Sequence, residues 1–243
     1  MNTLGFDRAA KWLGLALILS SALAVALYLI SKSVTWQAFG EIVHRVDTRE
    51  KVVALTFDDG PKPGATEELL RLLDAQGVKA SFFLVGKSLE RNPQQAKMIA
   101  EAGHQLGNHS YSHSRMVFFD YRRVAEELET TEALIRQTGY RGEILFRPPY
   151  GKKLFNLPRY LADNRITTVT WDIAPETFDG PMRRPEEISS AILEQVRPGS
   201  IILLHPMNGY RETVQQALPV VIGNLRQRGF RFVTLSELLA EAQ

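Results

Sequence analysis

From residue 51 to the C-terminus, short apolar runs alternate with segments whose apolar residues recur every three or four positions. An apolar run that ends at a turn residue fits a buried strand, and the three-to-four spacing fits an amphipathic helix. The pattern predicts strands over 52–58, 80–85, 104–109, 144–147, 167–173, 200–205 and 230–235. Helices are predicted between and after them, over 66–76, 92–103, 121–137, 157–164, 186–196, 211–228 and 236–242. Gly77, Gly103, Gly139 and Gly229 supply stops for four of them. Strands that alternate with helices specify a parallel α/β architecture. The periodicity fits an open doubly wound sheet and a closed barrel equally. No Gly-x-Gly-x-x-Gly follows the first strand, which argues against a dinucleotide site.

The N-terminal pattern is different. Residues 12–30 contain no charged side chain and are almost entirely apolar. About 20 such residues span a bilayer as a helix. Arg8 and Lys11 precede the run and Lys32 follows it. A short basic N-terminus ahead of the first apolar span stays in the cytoplasm by the positive-inside rule. Residues 1–11 are therefore read as a cytoplasmic N-terminus and 12–30 as a transmembrane anchor in the cytoplasmic (inner) membrane. Residues 31–50 are read as a juxtamembrane stalk, partly helical, and 51–243 as a catalytic domain facing the periplasm or cell exterior. Ala22-Leu23-Ala24 resembles a signal cleavage site, the competing reading. The apolar run continues to Ile30, which is long for a signal and favours the anchor.

Composition narrows the chemistry. Net charge is +2 and there is no long run of Lys or Arg, so a nucleic-acid partner has no electrostatic footprint. The chain has no Cys, which excludes disulfides, thiolate metal sites and a Cys nucleophile.

Reactive groups collect at the carboxyl ends of the predicted strands. Asp58 and Asp59 end the first, His109 and His113 follow the third, Arg147 and Tyr150 the fourth, Asp172 lies near the end of the fifth, and His205 ends the sixth. In a parallel α/β barrel those ends share one rim, where sites are built. Each motif taken alone has an ordinary explanation: a turn, an exposed loop, a Pro-rich connection, a core histidine. Their coincidence on five strand ends is the signal. Neighbouring Asp58 and Asp59 point to opposite faces of an extended strand, so they are assigned different tasks. His109 and His113 are four apart, and on a helical turn such a pair shares a face and can grip one ion. Two His and one Asp form the donor set of a catalytic divalent metal that keeps a position open. In Arg147-Pro148-Pro149-Tyr150-Gly151, the Tyr150 amide is the first free donor after two prolines, placed to stabilise an oxyanion. His205 has a side chain suited to proton transfer near neutral pH. These residues describe metal-assisted hydrolysis of an acyl bond.

Four ordered stretches now carry a resemblance: Thr56-Phe57-Asp58-Asp59-Gly60-Pro61, His109-Ser110-Tyr111-Ser112-His113, Arg147-Pro148-Pro149-Tyr150-Gly151 and Leu203-Leu204-His205. They resemble the signature motifs of the polysaccharide deacetylases, the carbohydrate esterases with a NodB-homology domain, across roughly residues 51–239. The resemblance implies a distorted (β/α)7 barrel. It implies that Asp59, His109 and His113 bind the metal, usually zinc, that Asp58 is the general base oriented by Arg147, and that His205 is the general acid. It implies that the Tyr150 amide helps hold the oxyanion and that Leu203 lines the pocket for the acetyl methyl. The implied reaction is N-deacetylation of N-acetylated sugars in peptidoglycan or a chitin-like glycan. Alternatives within the resemblance are O-deacetylation, deacetylation or deformylation of a lipid-linked sugar, and an inactive glycan-binding relative. One motif departs. The family often carries an Asp-Trp pair after Trp171 that supports the motif arginine, and the aligned positions here are Thr177 and Phe178. Phe178 is placed with Leu203 as a substrate-lining residue, and Asp172 is the substitute support for Arg147.

Overall fold

In a computed structural model, the backbone is described for residues 3–178, 184–209 and 211–242, and side chains for the same stretches except 3–10 and 177–178. The chain opens with α1 (Thr3–Ser31). Its Lys11–Ser31 portion has a mean hydropathy of 2.4 and is exposed until its last turns, where Ser31 is buried. It is the one helix among the described residues long and apolar enough to cross a membrane.

The segment read as a partly helical stalk is extended instead. It supplies β1 (Ile42–Val43), and Val46 enters the core with its amide donating to Gly199 O at 3.0 Å. The chain thus joins the domain before Lys51. The succession continues as β2 (Val52–Gly60), α2 (Ala65–Ala75), β3 (Ser81–Leu84), α3 (Gly86–Arg91), α4 (Pro93–Glu101), β4 (Gln105–Asn108), α5 (Tyr121–Gln137) and α6 (Asn156–Asp163). It closes with β5 (Thr168–Val169), α7 (Pro175–Phe178), α8 (Pro185–Gln195), β6 (Ile201–Leu204), α9 (Arg211–Gln227), β7 (Arg231–Phe232) and α10 (Leu235–Ala240).

The named strand pairs are parallel, in the order β4-β3-β2-β6, with β7 against the start of β2 and β1 against β5. Single bridges complete the ring: Phe146 joins Asn108 to Thr168, and Ile173 joins Ile202. The result is a distorted (β/α)7-type barrel, in which some staves are full strands and others single bridged residues. The predicted fourth strand shrinks to Phe146 because Pro148 and Pro149 have no N–H to continue a ladder. The fifth breaks after Val169 where two of its carbonyls, Val169 O and Thr170 O, accept from the Arg147 guanidinium.

β2 is the stave on which the rest closes. From Val52 to Phe57 every residue is fully buried. Alternation sorts them: Val53, Leu55 and Phe57 pack outward on a layer that includes Leu69, Leu73, Ile188 and Val221 of the helices. Val52 and Ala54 face inward with Phe83, Trp171 and Leu203. The same alternation carries Thr56 and Asp58 to the barrel interior. At Asp59 the backbone enters the left-handed region, φ 74, and the β2–β3 register shifts between Asp58 and Gly60. That irregularity cancels the alternation for Asp59 and turns its carboxylate toward the same rim.

Candidate active site

The carboxyl rim encloses a cavity of about 360 Å³ lined by Asp58, Asp59, His109, His113, Tyr150, Trp171, Glu176, Leu203, His205 and Asn208. Asp58 and Asp59, expected on opposite faces, therefore meet in one cavity.

Arg147 is wholly buried beneath it, its guanidinium 4.1 Å from the centre of the Phe83 ring. One amino group donates to Asp58 Oδ1 at 2.8 Å and to Thr56 Oγ1 at 2.8 Å, and the other to Thr170 O at 2.9 Å. Burial pushes the Arg147 guanidinium below its usual value, and the Asp58 carboxylate partly restores it. A buried ion pair persists only when its remaining donors are also satisfied, which the carbonyls and Thr56 accomplish. With Oδ1 held by Arg147, Asp58 Oδ2 faces the imidazoles, 3.5 Å from His109 Nε2.

His109 and His113 do not lie on a helical turn. Residues 109–113 form a tight loop with Ser110 and His113 in the left-handed region, φ 61 and φ 55. Asn108 Oδ1 accepts the Ser110 amide at 2.9 Å, and Glu127 of α5 accepts both the amide and the hydroxyl of Ser112, at 2.8 and 2.6 Å. This scaffold, absent from the sequence reading, brings the two imidazole rings to 4.9 Å. His109 Nδ1 lies 2.8 Å from Arg147 O, and a carbonyl only accepts, so Nδ1 carries the proton and Nε2 presents a lone pair. Burial pushes the His109 imidazole below its usual value, against the pull of Asp58 and Asp59, which favours the neutral ligand form.

Asp59 Oδ1 lies 3.0 Å from His113 Nε2 and 3.7 Å from His109 Nε2, and Oδ2 accepts from Asn208 Nδ2 at 3.1 Å. Oδ1 is buried and faces only the two imidazole nitrogens among the described contacts. Burial opposes ionisation of Asp59, but the neighbouring imidazoles of His113, His109 and His205 outweigh it and hold the carboxyl well below its usual range. One donor atom from each of Asp59, His109 and His113 lies within 4.8 Å of the others. A buried carboxylate oxygen facing two imidazoles, one of which has its Nε2 lone pair free, is a donor set that fits a divalent cation.

On the opposite wall, His205 Nδ1 lies 2.7 Å from Glu176 Oε2, and the His205 amide also donates to that carboxylate. Burial alone would lower the imidazole, but Glu176, Asp58 and Asp59 push it up to about 9. Glu176 is the principal residue the sequence reading missed. Its signal was an acidic side chain in the short helix begun by Pro175, one position before the aligned Thr177. Asn208 and Trp171 were missed as lining residues for want of any motif around them.

Asp172 does not support Arg147. Its carboxylate accepts from Ser200 Oγ and the Ile201 amide, both at 2.8 Å, and its nearest cation is Arg197 at 3.8 Å. A bend at Asp172 directs it to the start of β6, away from the cavity. The expectation for Phe178 falls on a side chain outside the described residues. Tyr150 sits at φ 57 in a turn where Gly151 and Lys152 donate to Pro148 O and Pro149 O, leaving the Tyr150 N–H outside that pair. Leu203 is buried on the wall and lines the cavity.

Residues 45–169 match the family model described as "Polysaccharide deacetylase". A peptidoglycan-N-acetylglucosamine deacetylase of Bacillus cereus is 37% identical over 190 residues, 76% of this chain and 67% of the relative. A solved peptidoglycan N-acetylglucosamine deacetylase superposes with a TM-score of 0.77 at 30% identity, covering 83% of this chain and 95% of that one. A CE4 family pseudoenzyme from Bacillus anthracis superposes with a TM-score of 0.74 at 27% identity, covering 83% and 70%.

Proposed function

This chain belongs to the polysaccharide deacetylase family, and from that premise we propose that it is a metal-dependent hydrolase removing N-acetyl groups from an envelope glycan of the peptidoglycan type. The observation that carries the reading is the meeting of Asp58, Asp59, His109, His113 and His205 in one cavity, with Arg147 and Glu176 behind the two groups that would move protons. The glycan class follows the substrate named for the relatives.

Asp59, His109 and His113 would hold the ion, for which zinc suits two imidazoles and a carboxylate. A divalent cation there supplies Lewis acidity, acidifying water and polarising an acyl carbonyl. Asp58 is the general base: Arg147 pins Oδ1, so Oδ2 is free to take the proton of the attacking water. The Tyr150 N–H stabilises negative charge developing on the acyl oxygen. His205, charged through neutral pH by its contact with Glu176, gives its Nε2 proton to the departing sugar nitrogen. Acetate and a free amino sugar result. Leu203 and Trp171 offer the apolar wall for the acetyl methyl. The helix α1 serves as an uncleaved anchor, holding the barrel on the outer side of the cytoplasmic membrane.

The test uses the full chain in detergent with zinc, given N-acetylglucosamine oligomers and peptidoglycan, and measures acetate. Release from the wild type and loss in Asp58→Asn are expected. Release that persists unchanged in Asp58→Asn removes Asp58 as the base. A wild type that binds metal and glycan but releases no acetate from any acylated glycan is an inactive relative, as the Bacillus anthracis neighbour is described.

A further inference from the structure

A second cavity, about 620 Å³, lies between the end of α1 and the barrel. One wall is the last two turns of α1, with Ala24, Leu27 and Tyr28; the other is Val117, Phe118 and Leu154 of two barrel loops. Its size is that of a small-molecule site. Two cations sit on it, Arg115 and Lys152. Neither forms an ion pair among the described residues; Lys152 Nζ lies 4.3 Å from the centre of the Tyr28 ring, and Arg115 stacks 5.0 Å from that of Tyr150. Phe118 stands at the rim 91% exposed. The wall is held rigidly to the helix: Lys153 donates its amide to Ser31 O at 2.9 Å and its ammonium to Ser33 O.

We propose that this groove seats one anionic, phosphate-bearing lipid of the bilayer that α1 crosses, with its acyl chain along Leu27, Val117 and Leu154 and its phosphate between Arg115 and Lys152. The inference rests on the reading of α1 as a membrane anchor. It has three supports. The groove is continuous with a helix apolar on every side, so the molecules that reach it first are lipids. An apolar trough with unpaired cations at its mouth matches an acyl chain joined to an anion and suits neither a soluble sugar nor a neutral lipid. The exposed Phe118, on the groove beside the end of α1, offers the kind of apolar side chain that inserts at a membrane surface. Because Arg115 stacks on Tyr150, which lines the catalytic cavity, the lipid phosphate lies one side chain from that cavity and fixes its mouth relative to the bilayer surface.

The experiment places the full chain in nanodiscs containing acyl-chain photoactivatable phosphatidylglycerol or its phosphatidylcholine counterpart, and maps the labelled peptides by mass spectrometry. Residues 115–118 and 152–154 are expected to take about thirtyfold more label from phosphatidylglycerol, the order two cations contribute at an anionic surface. The double variant Arg115→Glu, Lys152→Glu should lower that labelling to the phosphatidylcholine level while residues 12–23 label as before. Equal labelling of the groove by both lipids, labelling that survives the double variant, or label on 12–23 with none in the groove overturns the proposal and leaves the anchor standing. No label on residues 12–23 overturns the anchor and the lipid seat together. Acetate release from soluble glycan oligomers is untouched by either failure, so it reports the deacetylase reading separately.

Discussion

Glu176 holds His205 at two points: Oε2 lies 2.7 Å from Nδ1, and both carboxylate oxygens lie 3.1 Å from the His205 amide nitrogen. The ring contact fixes the proton on Nδ1 and leaves Nε2–H directed away from Glu176, the tautomeric control a carboxylate exerts on an imidazole. The charged form is favoured, pushed up to about 9. Activity that needs His205 protonated should persist through neutral pH and fall on the alkaline side. Glu176→Gln keeps the shape and removes the charge. Its alkaline limb in kcat/KM should move down by about one unit or more, the usual effect of losing an adjacent opposite charge. The linked stability has the same sign. A pKa raised on folding contributes stability that is present below about 6.5 and lost as pH rises through about 9. Glu176→Gln should flatten that loss in denaturant titrations across the interval. An alkaline limb unmoved by the substitution would remove His205 as the acid.

Arg147 and Asp58 form a pair with almost no exposure on either side. Taking the guanidinium away leaves a buried carboxylate without its hydrogen-bonded counter-charge. Arg147→Met should therefore cost about 3–5 kcal/mol in denaturant unfolding, the range for breaking a buried pair from one side. The double variant Arg147→Met, Asp58→Asn should cost less than the sum of the singles, because the stranded charge is gone. Strict additivity would mean the two side chains are not energetically coupled.

Asp172 separates a structural carboxylate from a catalytic one. It joins the start of β6 to the end of the fifth stave through Ser200 and Ile201, and burial pushes its carboxyl up. Asp172→Asn should lower stability by about 1–3 kcal/mol, the cost of disturbing a buried acceptor. The pH dependence of kcat/KM should stay where the wild type has it. A shift of the acidic limb would return Asp172 to the support of Asp58.

β2 and β6 were legible because each is an apolar run that stops at a chemical residue, and α5, predicted over 121–137, has those bounds. The weaker staves were not, because a barrel accepts a single bridged residue such as Phe146 where local sequence offers a strand of four. β1 was hidden because two residues that pair with β5 carry no periodicity of their own. In the site, the reactive groups at strand ends and Arg147 behind them were visible, whereas Trp171, Glu176 and Asn208 on the cavity wall and Glu127 behind the histidine loop were not. Glu127 and Glu176 read as ordinary helix acids until tertiary packing turns one onto Ser112 and the other onto His205. The pairing of Asp58 with Asp59 on one cavity depends on a left-handed Asp59 backbone, which alternation alone forbids.

Removing the cation tests the group around Asp59 Oδ1. With two imidazole nitrogens facing that oxygen, the three side chains form a group that could hold an ion. Chelation should abolish acetate release and lower the melting temperature. At a free zinc concentration near 100 times its dissociation constant, the holoprotein should gain about 2.7 kcal/mol over the apoprotein by mass action. His113→Ala and Asp59→Asn should each lose most of the bound metal by elemental analysis and lose the chelator-sensitive part of the melting temperature with it. Asn208→Ala, which removes the donor to Asp59 Oδ2, should retain the ion with weaker affinity. A wild type that holds no divalent ion and melts identically with and without chelator would remove Asp59, His109 and His113 as ligands.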